Sequence, residues 1–305
     1  MKLRVWLAML AVYIFWGSTY LAIRYAVGTI PPFLMAATRH ISAGLILFLW
    51  MRIRGVPLPK LSEWRVTGVL GLFLLLGGNG LLVWAEQRVI SSVAALMIGS
   101  VPLWIVLVDS LRPGGRRPVW QVVAGVLVGF VGIVVLIDPV GQVGASREID
   151  FIGAVALLGA SLSWAIGSIY GREHYSELPK EPLQATSMEM IAGGAGLLIV
   201  GTLTSEWSRL NPSAITSSSL IGLGYLIVFG SLIAFTAYAW LLGVAPTPLV
   251  STYAYVNPLI AIILGSLIAQ EAITPRIIVA ALVIIGAVVL INAEQMIRTR
   301  RRQPA

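Results

Sequence analysis

The chain contains no cysteine and only two histidines, and of its 305 residues 21 are Lys or Arg and 13 are Asp or Glu, 11% in all. Without thiols there is no disulfide framework, no thiolate nucleophile and no Cys-ligated zinc or iron–sulfur centre. Two histidines without an HExxH or ExxH pattern leave no metal site, and no cofactor, to be expected. No Gly-x-x-x-x-Gly-Lys-Ser/Thr loop occurs, which excludes ATP hydrolysis by a P-loop. Ser18, Ser163 and Ser168 have no His/Asp set to activate them, so the chain is expected not to be an enzyme. Soluble domains run at about 25% charged, whereas 58% of this chain is apolar. No soluble fold of this length hides that much apolar surface. The composition is that of an all-α membrane protein.

The few charges act as punctuation. Between them lie apolar segments at 5–23, 32–51, 66–85, 89–108, 118–137, 151–171, 183–204 and 277–293, each near the roughly 20 residues that span a bilayer. The uncharged stretch 210–270 is too long for one helix, and Pro246 and Pro248 divide it into two. Ten transmembrane helices are expected. Lys2 and Arg4 before the first segment resemble a signal peptide, but that segment carries Trp6, Tyr13, Trp16 and Tyr20 and no convincing A-x-A site, so it is read as a retained helix. Fifteen basic residues, Arg52, Arg112 and Arg172 among them, fall on the side of the N-terminus, against five on the other: Arg24, Arg88, Arg147, Arg209 and Arg276. That bias places both termini in the cytoplasm, N-in/C-in. It also accounts for the net charge of +8 without nucleic acid, the basic tail Arg298–Arg302 being placed to meet anionic headgroups. The expected partners are a small-molecule substrate and the lipid bilayer, with no nucleic acid and no required protein partner visible.

The second half echoes the first. Trp16 answers to Trp164, Pro32 to Pro182, Pro102 to Pro258, and Gly132–Asp138 to Gly286–Asn292, at offsets of 148, 150, 156 and 154. A unit of five helices is odd in number, so the two copies, 1–145 and 146–305, are expected to cross the membrane in opposite senses. Such two inverted five-helix repeats are a mark of secondary transporters, with a site near the midplane at the repeat interface.

The motifs Phe15-Trp16-Gly17-Ser18-Thr19, Trp84-Ala85-Glu86-Gln87, Ser91 with Pro102-Leu103, Asn257-Pro258-Leu259 and Gln270-Glu271 stand in a characteristic order, with Arg39 inside a span. In this the chain resembles a ten-helix member of the drug/metabolite transporter superfamily, of the EamA type. The resemblance implies a secondary exporter of small metabolites, amino acids or amphipathic drug-like compounds, in the bacterial cytoplasmic (inner) membrane, working by alternating access. A second reading is a transporter of lipid-linked or headgroup substrates, which a lateral opening between helices would favour.

Polar groups in lipid are costly unless satisfied, so those within spans should face a cavity or a partner. Arg39 and Glu189 are the full charges deepest in their spans and are repeat mates at offset 150. They are expected to pair or to share a hydrated cavity, as a structural ion pair or in substrate or proton handling. His40, beside Arg39, could titrate near neutrality or simply be packed. Asn79, in Gly77-Gly78-Asn79-Gly80, is a candidate cavity residue where glycines permit close approach or unwinding. Pro102 and Pro258 are expected to kink their helices and help gate the site. Trp104, Tyr253 and Asn257 flank these prolines. Trp16, Ser18 and Thr19, with Trp164 and Ser168, do the same for the first and sixth helices. Aromatic walls with a few hydroxyls suit small amphipathic or zwitterionic molecules, although Trp and Tyr also favour headgroup belts. Gly125 and Gly129 are read as helix packing.

Overall fold

The computed structural model describes residues 2–115, 117–138 and 150–302 and contains helices and no strands among them. Its principal helices are α1 (Lys2–Ala26), α2 (Pro32–Ile53), α3 (Leu61–Ala85), α4 (Ser91–Leu111), α5 (Trp120–Ile137), α6 (Phe151–Glu173), α7 (Pro182–Leu203), α8 (Ser217–Val244), α9 (Tyr253–Ala269) and α10 (Pro275–Arg302). Among the described residues, nine helices are long and apolar enough to cross a membrane. The exception is α9 with 17 residues, about 26 Å at 1.5 Å per residue. A one-turn helix, Thr247–Val250, and a turn at Ser251 and Thr252 precede it, so Pro246 and Pro248 both separate α8 from α9 and shorten α9. The junction at 145/146, Arg147 and the side chains of the tail Arg298–Arg302 lie outside the described residues.

The five even-numbered helices begin at one end of the bundle, and each has a backbone N–H near its start held by a side chain. The Glu206 carboxylate accepts from Leu34 N–H (2.9 Å) at the start of α2, and Glu271 accepts from the N–H groups of Ser91 (2.9 Å) and Ser92 (3.1 Å) at the start of α4. Asp150 caps α6 through Gly153 N–H (2.6 Å), Thr216 caps α8 through Ser219 N–H (3.3 Å), and Thr274 caps α10 through Ile277 N–H (3.3 Å). These groups satisfy donors that a helix start leaves open, and the acids also favour its positive dipole end. Further contacts gather the same end: Thr29 donates to Ser219 at 2.8 Å, and Arg276 pairs with Asp138 at 2.8 Å. The opposite end holds Arg172–Asp109 (2.6 Å), Arg112–Glu173, and Gln184 donating to the Pro57 carbonyl (2.7 Å). The helices therefore alternate in direction, and an even number of them brings the two chain ends to the same side.

The most extensive helix contacts recur when the halves are exchanged. Helix α2 packs on α7 and α5 on α10, each on the helix five places further along the chain; α1 packs on α8 and α9, as α6 packs on α3 and α4. The α3–α7 crossing brings backbones together: a Cβ on Gly71 would sit 2.5 Å from the Glu189 carbonyl oxygen, and one on Gly193 2.6 Å from that of Gly71. Gly125 and Gly129 lie against Ile291, Leu103 and Ala287, which is the packing role expected of them.

Two features are absent from any apolar periodicity. Leu72–Gly80 in α3 and Leu226–Ile233 in α8 are wound as π-helix, and they occupy matching places in the two halves. The glycine-rich segment thus stays helical but widens. Pro102 also behaves differently from expectation. Pro102 lies in the first turn of a fresh helix, Val101–Leu111, after a turn at Gly99-Ser100. It interrupts α4 rather than kinking it, because a helix start tolerates the missing N–H. Pro258 sits inside the continuous α9, and the break in that region falls earlier, at Ser251 and Thr252.

Candidate transport site

A cavity of about 280 Å³ lies between the halves, walled by α1–α4 and α6, α8, α9 and α10. The π segments shape it. In α8 the widened winding leaves the Gly230 carbonyl free to accept from Trp16 Nε1 (3.2 Å), and in α3 the Phe73 carbonyl accepts from the Ser163 hydroxyl (2.7 Å). Trp16 is further set by Phe235, Tyr238 and Tyr253, with ring centroids 5.0, 5.0 and 5.1 Å away. Thr19 and Ser168 donate to carbonyls one turn back in their own helices, those of Trp16 (2.6 Å) and Trp164 (2.8 Å), and line the cavity beside those tryptophans.

The polar floor is contributed by α2, α3 and α9. Arg39 is 3% exposed, and its Nε donates to the Ser231 hydroxyl at 3.0 Å. His40 Nε2–H donates to Asn79 Oδ1 at 3.0 Å, an arrangement that leaves Nδ1 of the neutral ring as an acceptor. Three buried atoms at this cavity have no hydrogen-bond partner among the described residues: Arg39 Nη1, His40 Nδ1 and Asn257 Oδ1. Buried polar atoms are normally satisfied, so three orphans on one cavity mark a place where something else completes them.

The structure brings together Trp16, Thr19, Arg39, His40, Asn79, Pro102, Trp164, Ser168, Tyr253, Asn257 and Pro258 on this cavity. Three other candidates lie off it. Ser18 is turned about 100° from Thr19 toward α8, where its hydroxyl donates to the Ile14 carbonyl (2.7 Å) and lies 2.6 Å from that of Tyr225. Trp104 stacks edge-on against Phe130 of α5 with centroids 5.0 Å apart. Glu189 neither lines the cavity nor forms an ion pair with Arg39. The reason is the helix face. Gly194 of α7 meets His40 and Ile41 of α2, so Arg39 is rotated away from α7 toward α8, while the Glu189 backbone abuts Gly71 of α3.

Sequence reasoning missed Tyr20, one turn beyond Trp16, and Asn292, the mate of Asp138, both on the cavity wall; their spacing from chosen residues was the available signal. It also read Glu86 as closing a span. Glu86 is instead 4% exposed, with neither carboxylate oxygen bonded among the described residues. Burial, and then the charge of Glu271, push its carboxyl well above the usual range. Glu271, 6% exposed, is its opposite. Burial raises its carboxyl, but hydrogen bonds from Ser92 and Ser91 outweigh that and hold it below the usual range. Its oxygens take four bonds from those serines and pair with Arg24.

Comparison with known proteins agrees with this architecture. One family description, the EamA-like transporter family, matches the chain over residues 3–138 and again over 151–293. The chain belongs to that family. It is 36% identical over 286 residues to the inner membrane transporter YedA of Escherichia coli strain K12, covering 93% of this chain and 89% of YedA. Protein PecM of Dickeya dadantii is 29% identical over 94% of this chain and 92% of its own. A chloroplastic WAT1-related protein of Arabidopsis thaliana is 27% identical over 94% and 69%. A crystal structure with 22% identity superposes with a TM-score of 0.62, covering 96% of this chain and 99% of the other, a likeness of fold. As a member of this family the chain is a membrane transporter.

Proposed function

We propose that this transporter is a secondary exporter of small metabolites, amino acids or amphipathic drug-like compounds, in the bacterial inner membrane with both termini cytoplasmic. The substrate occupies the central cavity, and the halves 1–145 and 146–305, as inverted repeats, rock about it in alternating access. The observation that carries this reading is the cavity itself: buried orphan polar atoms and aromatic walls at the interface of mated helices, as expected of repeat-built transporters. The name of the Escherichia coli relative and the family match support the membrane and the activity. The matching helix contacts and π segments support the repeat.

The test is counterflow in liposomes containing the purified protein, with a panel of amino acids and cationic and anionic amphiphiles, with and without a pH gradient. Saturable exchange of at least one compound, lost on filling the cavity by Asn79→Trp, is the expected result. Exchange by none of them would remove the reading.

A further inference from the structure

Arg39 carries the inference furthest. It is a guanidinium in the membrane interior that faces the cavity, takes part in no ion pair among the described residues, and keeps one nitrogen unbonded. No Asp or Glu among the described residues lines the cavity. Ser231 fixes the guanidinium through Nε, and Gly230 beside it leaves the space a side chain would take: a Cβ there would lie 3.3 Å from Arg39 Nη2. Glu86 acts on Arg39 through space but makes no ion pair with it; a buried cation without a paired counter-ion is expensive in low dielectric, and a planar guanidinium is the side chain best matched to a carboxylate. The two remaining orphans, His40 Nδ1 and Asn257 Oδ1, are acceptors and call for donors.

We propose, resting on the transporter reading above, that the cavity takes a singly charged organic carboxylate with a hydroxyl or N–H donor on an apolar body of one ring. The carboxylate completes Arg39, and the donor completes His40 Nδ1 or Asn257 Oδ1. The ring lies against Trp16 and Tyr253. A volume of about 280 Å³ suits one ring and a short chain, being at the small end of the roughly 300–1,000 Å³ of ligand pockets. An ammonium group finds no carboxylate in this wall and meets the like charge of Arg39, so cations and zwitterions of the same shape are disfavoured.

Three compounds of one shape separate these classes: 4-hydroxyphenyllactate is an anion at neutral pH, tyrosine a zwitterion and tyramine a cation. Counterflow in liposomes and calorimetric titration in detergent are both read on the wild-type chain. The anion is expected to bind and exchange at least about ten-fold better than the other two. In Arg39→Gln its affinity should fall by about ten- to a hundred-fold, the scale of a lost charge-assisted hydrogen bond. Preference for tyramine or tyrosine overturns the proposal, as does unchanged anion affinity in a folded Arg39→Gln. If that variant does not fold, the wild-type series decides alone. Silence toward all three compounds in both assays also overturns the proposal, while the transporter reading falls only if the wider panel is silent too.

Discussion

The two ends of the helix bundle are held together by different physics. At the end where the even-numbered helices begin, the joining groups are buried carboxylates: Glu271 reaches from the loop after α9 to the start of α4, and Glu206 from beyond α7 to the start of α2, at 6% and 0% exposure. At the end bearing the termini the joining groups are the ion pairs Arg172–Asp109 and Arg112–Glu173, whose Arg172 and Glu173 side chains are 54% and 42% exposed. Exposed pairs are individually worth little, and breaking a buried one costs several times more. The difference teaches where the bundle is tied most firmly. The cavity reaches Asn292 and Ser251 near the end bearing the termini, away from those buried carboxylates.

The largest test of that contrast is Glu271→Ala, which strips Arg24, Ser91 and Ser92 of their shared acceptor. It should lower stability by about 3–5 kcal/mol, read as a large drop in thermal unfolding temperature in detergent; a drop no greater than that of a surface variant would erase the distinction. Acidification should produce part of the same loss. The carboxyl of Glu271 is held below its usual range by Ser92 and Ser91 against the effect of burial. Its contribution is therefore complete above the usual carboxylate pKa and disappears as pH falls through the lower folded value. Glu271→Gln should lose that acid sensitivity in pH-dependent melts. Glu86→Gln, by contrast, removes an orphaned acid of nearly equal shape, and a change of under about 1 kcal/mol, of either sign, is expected. A loss as large as that of Glu271→Ala would show that Glu86 has a partner. At the exposed end, Arg172→Gln should cost the least, about 0–1 kcal/mol, and less still in high salt; a salt-independent loss of several kcal/mol would make the two ends alike.

Much of this was legible in the sequence because a bilayer imposes long apolar runs and places charges at their ends. The break at Pro246 and Pro248, the packing at Gly125 and Gly129 and the cavity positions of Trp16, Asn79, Trp164 and Asn257 all follow from residue type and spacing. What was illegible is rotation and distance. Ser18 and Thr19 are both small hydroxyl residues in one motif, and only the packing of α1 on α8 decides that Thr19 faces inward. Arg39 and Glu189 share a depth but not a facing direction. Glu86 and Glu271 look alike as residues at span ends, and their opposite fates depend on Ser91 and Ser92, which lie 180 and 179 positions from Glu271. A π segment leaves no mark in composition, since it changes winding without changing residue type.

Those π segments give chain length a meaning of its own. Each holds at least one more residue than α winding over the same rise would need. Deleting Gly77 would leave α3 a continuous helix rewound toward α geometry over the same rise, with Leu61–Gly71 and Leu81–Ala85 keeping their facing. The change would be confined to the rewound segment, where Asn79 meets His40. Between relatives, a one-residue gap inside the third or eighth helix would thus register as a change in what the cavity recognises, with the bundle itself intact.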